Sequence, residues 1–235
     1  MVRVESLPRR IAELARSLQA EEGSGETMDL AVTLAVEVVD GAEDAGISLV
    51  HRGRIVETPA STSERGLKAD RIQQELGEGP CLTAIREEEV ISCPDLAAEK
   101  RWGAWGPRTA GEAGIGSMLC FRMFTQKERL GALSLYATQP HAFTGADVES
   151  GLSFAAHTAI AITVARQEEH MDLALDSRSL IGQATGIVMD RYDLDAVRAF
   201  AVLKRISQQS NVKLHEVAAE LIRTRHLPSS NPEGI

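Results

Sequence analysis

The stretch IGQATGIVM, residues 181–189, carries Gly182 and Gly186 four residues apart inside a helical pattern. An interior glycine costs a helix about 1 kcal/mol against alanine, so a pair of them implies a close approach by something else. At 100° per residue, Leu180, Ile181, Ala184, Ile187 and Val188 gather within about 120° and form a core face. Gly182 and Gly186 fall on the other side, flanked by Arg178, Ser179 and Gln183. The expected result is a side-chain-free patch beside a guanidinium and an amide, open either to a nucleic-acid backbone or to a neighbouring helix. Further on, Arg205, Gln208, Asn211 and Lys213 converge on one turn. A guanidinium forks to phosphate or stacks on a base, and amides read base edges. The other reading of these residues is a solvated surface, with Asn211 as a left-handed helix stop. Tyr192 is a base-stacking candidate or a packing residue between helices.

Other chemistries are poorly represented. No G-x-x-x-x-G-K-[ST] phosphate loop occurs, and GIGS at 114–117 is too short to carry weight. HEVAA at 215–219 has Ala219 where a zinc protease needs a second histidine. Cys81 and Cys93 are twelve apart, unlike a zinc knuckle, and the six histidines have no ligand spacing. No enzyme activity and no metal are expected. Three cysteines fit a reducing cytoplasm, and no run of 18 apolar residues predicts a membrane span. The charged N-terminus argues against a signal peptide.

Charge separates the chain into two parts. The net charge is −9, yet residues 177–235 hold 8 Lys/Arg against 6 Asp/Glu. The C-terminal part is mildly basic and the remainder strongly acidic, as expected where a polyanion binds one end.

The elements that position these residues follow from periodicity. Leu7, Ile11, Leu14 and Leu18 mark an amphipathic helix over 7–20, followed by a flexible EEGSGET and a helix over about 28–40. Strands are expected at 45–51, 55–58, 90–92, 117–125 and 130–137, with helices at about 67–76 and 80–88. Polar turns fall at 51–55 and 126–129. The pattern is α+β around an antiparallel sheet. FTGAD at 143–147 opens a long helix through the capping box of Thr144 and Asp147. Val148, Leu152, Ala155, Ala159 and Ile162 alternate steps of 4 and 3, so this helix is either a coiled-coil stalk or an exposed connector. Helices at 194–209 and 214–225 complete a three-helix module.

With the module laid out, residues 177–222 resemble the ANTAR family of RNA-binding domains. The matching positions are Arg178, Ile181, Ala184, Gly186, Met189, Ala196, Leu203, Ser207, Asn211, Leu214 and Val217-Ala218. The acidic part resembles a GAF sensor domain of the kind found beside ANTAR in actinobacteria, through LGEGPCLTAI (76–85), RWGAW (101–105) and QKERLGALSLYA (126–137). The resemblance implies a cytoplasmic homodimer, paired through the helical linker, that binds RNA carrying two stem-loops and prevents transcription termination. It implies these segments: an N-terminal helix and linker (1–24), a GAF-like sensor (25–165), a coiled-coil linker (166–176), the ANTAR module (177–227) and a disordered tail (228–235). The RNA-binding candidates are Arg178, Gly182, Gln183, Thr185, Gly186, Arg191, Tyr192, Arg205, Gln208, Asn211 and Lys213. Thr185 stands where the family often has lysine, which removes one charge-assisted contact. A GAF-like sensor implies a small-molecule cavity beside the segment 79–115, with Cys81, Trp102, Trp105 and Met118 as candidate neighbours; the ligand is unknown, and the sequence requires none. The rival reading is DNA binding by the same three helices. Against it, Glu216 and Glu220 lie on the exposed side of the final helix, where a recognition helix is basic or amide-rich.

Overall fold

The computed structural model describes residues 7–51, 54–126 and 128–227. It divides into two compact units, one ending at Gln167 and one starting at Glu168. The expected turns at 51–55 and 126–129 include Arg52, Gly53 and Lys127, which lie outside the described residues, as does the tail at 228–235.

The first unit is built on a five-stranded sheet. Its elements in order are α1 (Leu7–Gln19), α2 (Ser24–Val38), β1 (Asp44–His51), β2 (Arg54–Ser61), α3 (Glu64–Leu76), α4 (Pro80–Arg86), β3 (Val90–Cys93), α5 (Trp105–Ala113), β4 (Ser117–Phe124), β5 (Arg129–Ala137) and the start of α6 (Gly145–Tyr192). The strand order is β2-β1-β5-β4-β3, with every pair antiparallel. Side chains alternate between faces along each strand. Ile47, Leu49, Leu119, Phe121, Leu133 and Leu135 therefore join one core with α1, α2 and α6. Met118, Cys120, Ala132 and Tyr136 join another with α3, α4 and α5. Strands β1, β4 and β5 are buried on both faces because helices cover both, and Ser48 and Ser134 bring hydroxyls to the second of them.

Helix α5 was absent from the sequence expectation. Gly106, Pro107 and Gly111 lower its intrinsic propensity. Pro107 is tolerated in the first turn, where its missing N–H has no helical partner. Gly106 is required by proximity: a Cβ there would lie 2.6 Å from the Leu96 carbonyl oxygen. Packing, not propensity, makes this helix.

Helix α6 starts as expected. The Thr144 N–H donates to Asp147 Oδ2 at 2.7 Å, and the Asp147 N–H to Thr144 Oγ1 at 3.4 Å. The apolar series expected to form a stalk has a different role. Ala155, Ala159 and Ile162 are buried in the first unit's own core, so that face is already occupied. Gly151 lets the helix seat there, since a Cβ would fall 2.4 Å from the Phe121 ring. One 18-residue window of α6 is apolar enough to cross a membrane by length and composition, and 50% of it is buried within the protein, as in a core helix.

The second unit packs the end of α6 against α7 (Ala196–Ser210) and α8 (Leu214–Thr224). Its core is Ala184, Val188, Ala199, Leu203, Val217, Ala218 and Leu221. Asp195 caps α7 by accepting from the Arg198 N–H at 2.8 Å.

Candidate nucleic-acid interface and sensor core

The glycine pair stands on the outer surface of α6. Gly182 and Gly186 are exposed, and a Cβ added at either meets nothing within 4 Å. Among the described residues no helix packs on them, so the close-packing alternative finds no partner there. Ala184 and Val188, on the opposite face, are fully buried. Arg178 and Gln183 are exposed beside the patch, and the Gln183 amide donates to Ser179 Oγ at 3.2 Å. Thr185 is turned back on its own helix: its hydroxyl donates to the Ile181 carbonyl at 2.7 Å. That bond occupies the only proton Thr185 can offer a phosphate.

At the α7–α8 turn, Arg205, Gln208, Asn211 and Lys213 are all exposed. Asn211 has φ 54°, and its N–H closes α7 on the Ser207 carbonyl, so it is the helix stop. Its side chain still faces solvent. Among the described residues, no carboxylate lies within 4.0 Å of Arg178, Lys204, Arg205 or Lys213. Arg198 and Arg223 differ, being paired with Asp195 at 3.5 Å and Glu220 at 2.7 Å. The unpaired cations are the ones with charge to spare for a polyanion. Arg191 donates to the Arg225 carbonyl and closes the end of α8, which gives it a structural task. Tyr192 is 49% exposed.

Sequence reasoning passed over Phe200. It is 41% exposed on α7, one turn before Lys204, and Val197 is exposed on the same side. The signal was present: at 100° per residue Phe200 falls off the face formed by Ala199, Leu203 and Ile206. An aromatic ring beside cations is a stacking platform for an unpaired base.

The four residues expected around a sensor cavity lie in one packed cluster. Cys81, Trp105 and Met118 are fully buried, and Trp102 nearly so. The two indoles meet edge to face with centroids 5.8 Å apart, and Trp102 Nε1 donates to Thr83 Oγ1 at 2.8 Å. Below them is a polar network. Asp70 Oδ2 accepts from Ser48 Oγ at 2.5 Å and Thr58 Oγ1 at 2.7 Å, and Asp70 Oδ1 from Gln73 Nε2 at 3.2 Å. Burial pushes the Asp70 carboxyl above its ordinary range, against the pull of these donors. Cys81 Sγ lies 3.1 Å from Ser134 Oγ, and Ser134 Oγ 3.7 Å from Cys120 Sγ. Burial raises the Cys93 thiol to about 12 and lifts Cys120 well above its usual value. Thiols held neutral this way are poor nucleophiles. Native protein should therefore react with a thiol-specific disulfide reagent far more slowly than protein in denaturant. Three rapidly labelled cysteines in the native state would contradict this packing.

No group of three or more His, Cys, Asp or Glu able to hold a metal occurs among the described residues. The described residues thus form a helix-covered antiparallel sheet followed by a small helical module with exposed cations. A GAF domain model matches residues 21–163, and an ANTAR domain model matches residues 169–222. The chain belongs to the GAF domain family and carries an ANTAR domain at its C-terminal end. GAF is a sensor domain, and ANTAR is an RNA-binding antitermination module; both are regulatory domains.

Among solved structures, the GAF domain of a phosphoenolpyruvate-protein phosphotransferase from Coxiella burnetii is similar, with TM-score 0.56 and 19% identity over 70% of this chain and 96% of that one. The GAF domain of the phosphoenolpyruvate-protein phosphotransferase from Acinetobacter has TM-score 0.54 and 14% identity over 70% and 97%. A free methionine-R-sulfoxide reductase from Neisseria meningitidis, solved with its substrate, has TM-score 0.52 and 14% identity over 68% and 90%. At these identities the likeness establishes the fold alone. No curated protein gives a significant match.

Proposed function

We propose that this protein is a cytoplasmic sensor-linked regulator that binds tandem stem-loops in nascent RNA and prevents transcription termination, acting as a homodimer paired through its helical linker. The observation that carries the reading is the ANTAR match over residues 169–222, on a module whose free cations and bare glycine patch are exposed. Arg178, Gly182, Gln183 and Gly186 form one part of the RNA surface, and Arg205, Gln208, Asn211 and Lys213 the other. Tyr192 and Phe200 supply rings for unstacked loop bases. Thr185 and Arg191 contribute least, because both have intramolecular tasks. Two weak hairpin contacts gain strength through effective concentration when two modules are joined.

Binding measured with tandem-hairpin RNA, a single hairpin and duplex DNA of equal length tests this directly. The expected order is tandem hairpin first, then single hairpin, with duplex DNA last; a preference for duplex DNA overturns the assignment. Arg205→Ala should weaken hairpin binding by about tenfold while leaving the helical circular dichroism unchanged, since a charged contact is worth about 1.5–3 kcal/mol. Unaltered affinity removes Arg205 from the surface.

A further inference from the structure

The three cysteines of the chain, Cys81, Cys93 and Cys120, are all free and all buried in one core, on the side of the sheet covered by α3, α4 and α5. A structural core cysteine behaves as a small apolar filler. Cys81 is placed differently, among polar partners. The Gln73 side-chain amide holds it twice: Nε2 donates to Cys81 Sγ at 3.0 Å, and Oε1 accepts from the Cys81 N–H at 2.9 Å. Gly79, at φ 145°, leaves that amide its place, since a Cβ there would overlap the Gln73 side chain. Cys81 Sγ also lies 3.1 Å from Ser134 Oγ and donates to Asp70 Oδ1 at 3.8 Å. A fixed N–H donor aimed at a sulfur stabilises charge that develops on it during attack on an electrophile.

Cys120 is the second sulfur in reach. The β4–β5 register sets Cys120 directly opposite Ser134, whose Oγ lies 3.7 Å from Cys120 Sγ. One hydroxyl therefore touches both sulfurs, and the two thiols hydrogen-bond to each other. Cys93 stands apart from this arrangement. The β3–β4 register sets it opposite Met118, and its sulfur accepts from Arg101 Nη2 at 3.6 Å.

We infer that Cys81 is an oxidation site for a small hydroperoxide, and that Cys120 closes on it to form a Cys81–Cys120 disulfide. With hydrogen peroxide, Cys81 Sγ attacks one peroxide oxygen. The S–O bond forms, the O–O bond breaks, and the departing oxygen leaves as water with the thiol proton. Cys81 is then a sulfenic acid. Cys120 Sγ next attacks Cys81 Sγ. The S–S bond forms, the S–O bond breaks, and the sulfenic oxygen leaves as water with the Cys120 proton. Two thiols lose two electrons in total, and one peroxide takes them. Burial holds Cys120 neutral, so it reacts only after Cys81 has become electrophilic. Burial also selects the oxidant: a small neutral molecule enters through local opening of the core, while a bulky disulfide reagent is held out. The new bond ties α4 to β4, and thiol exchange reverses it. It is a reversible mark on the sensor unit, independent of the RNA reading.

Peptide mapping of the full chain after hydrogen peroxide treatment tests it, with remaining thiols alkylated in denaturant. The expected product is a cross-linked peptide joining Cys81 to Cys120, lost on treatment with dithiothreitol. Cys81 should be oxidised about tenfold faster than Cys93, whose thiol burial holds neutral. In Cys120→Ser, Cys81 should stop at the sulfenic acid and be captured by dimedone. In Cys81→Ser, peroxide should leave both remaining thiols reduced. The wild-type map needs no variant, so it decides even where a substitution unfolds the chain. Three free thiols after peroxide overturn the inference. So does a disulfide that includes Cys93, or equal oxidation of all three cysteines. A wild-type Cys81 carried on to the sulfinic acid without a disulfide overturns the role of Cys120.

Discussion

Replacing Gly182 and Gly186 together by alanine should stabilise the C-terminal module by about 2 kcal/mol and weaken its hold on hairpin RNA. The two effects have separate origins. Both glycines sit inside α6, and an added Cβ at either position meets open space. Alanine therefore gains the helix about 1 kcal/mol at each site, through the entropy of the unfolded chain, and loses no packing. The same methyl groups stand on the surface where RNA is proposed to approach the backbone. A contact that depends on a bare backbone loses its closest atoms when a Cβ intervenes, and a loss of about 1.4 kcal/mol is tenfold in affinity. Thermal melting and hairpin titration of the same double variant give both signs. Higher stability with unaltered RNA affinity would leave the patch without an RNA role. Lower stability would mean that the patch is packed in the native protein, against the open space around it.

The second large effect concerns Asp70. Its carboxyl is buried and receives hydrogen bonds from Ser48, Thr58 and Gln73. Asp70→Ala should cost about 3 kcal/mol, because the buried Ser48, Gln73 and Cys81 groups and the part-buried Thr58 hydroxyl lose this partner together. Asp70→Asn should cost much less: a neutral amide can donate to the two hydroxyls and accept from the Gln73 amide. The pair also predicts a pH dependence. Burial raises the native pKa of Asp70 above its unfolded value. Its contribution is fully present below the unfolded pKa, near 3.9 for a free aspartate. Above that, the unfolded chain releases the proton while the native state retains it, so stability falls as pH rises through the raised native pKa. The wild type should therefore lose stability relative to Asp70→Asn as pH increases from about 4. Urea melts of both proteins across pH check the slope; a difference that grows in the wild type's favour would mean that the carboxylate is the stable native form.

The unequal visibility of these features in the sequence has physical causes. Helix faces are a consequence of a fixed 100° step, so the burial of Ala184 and Val188 and the exposure of Gly182 and Gly186 could be counted from the sequence. The capping box at Thr144 and Asp147 is equally local, requiring three residues and no tertiary partner. The antiparallel sheet was legible because its strands are strongly β-branched or apolar and bounded by turn residues. Helix α5 was not, because Gly106 and Pro107 obscure it and it is held by packing against α3, an element distant in the chain. Phe200 was passed over because the periodic count was spent on the core face.

Sequence by itself determined the two-part architecture, the ANTAR and GAF resemblance, the local starts and stops of helices, and the side of α6 on which its glycines stand. The helix starts, stops and faces among these depend on residues within a few turns of one another. Tertiary structure alone decided which apolar face of α6 is used up. One face, with Ala155, Ala159 and Ile162, is buried on the sheet, and the other, with Ile160 and Val164, is left open beside Phe124. Both faces are apolar in the sequence, and a 3.5-residue repeat reads the same whether a sheet or a helix answers it. Likewise, only the fold brings Asp70, Ser48 and Thr58 together from three different elements, where desolvation rather than composition sets the state of the carboxyl.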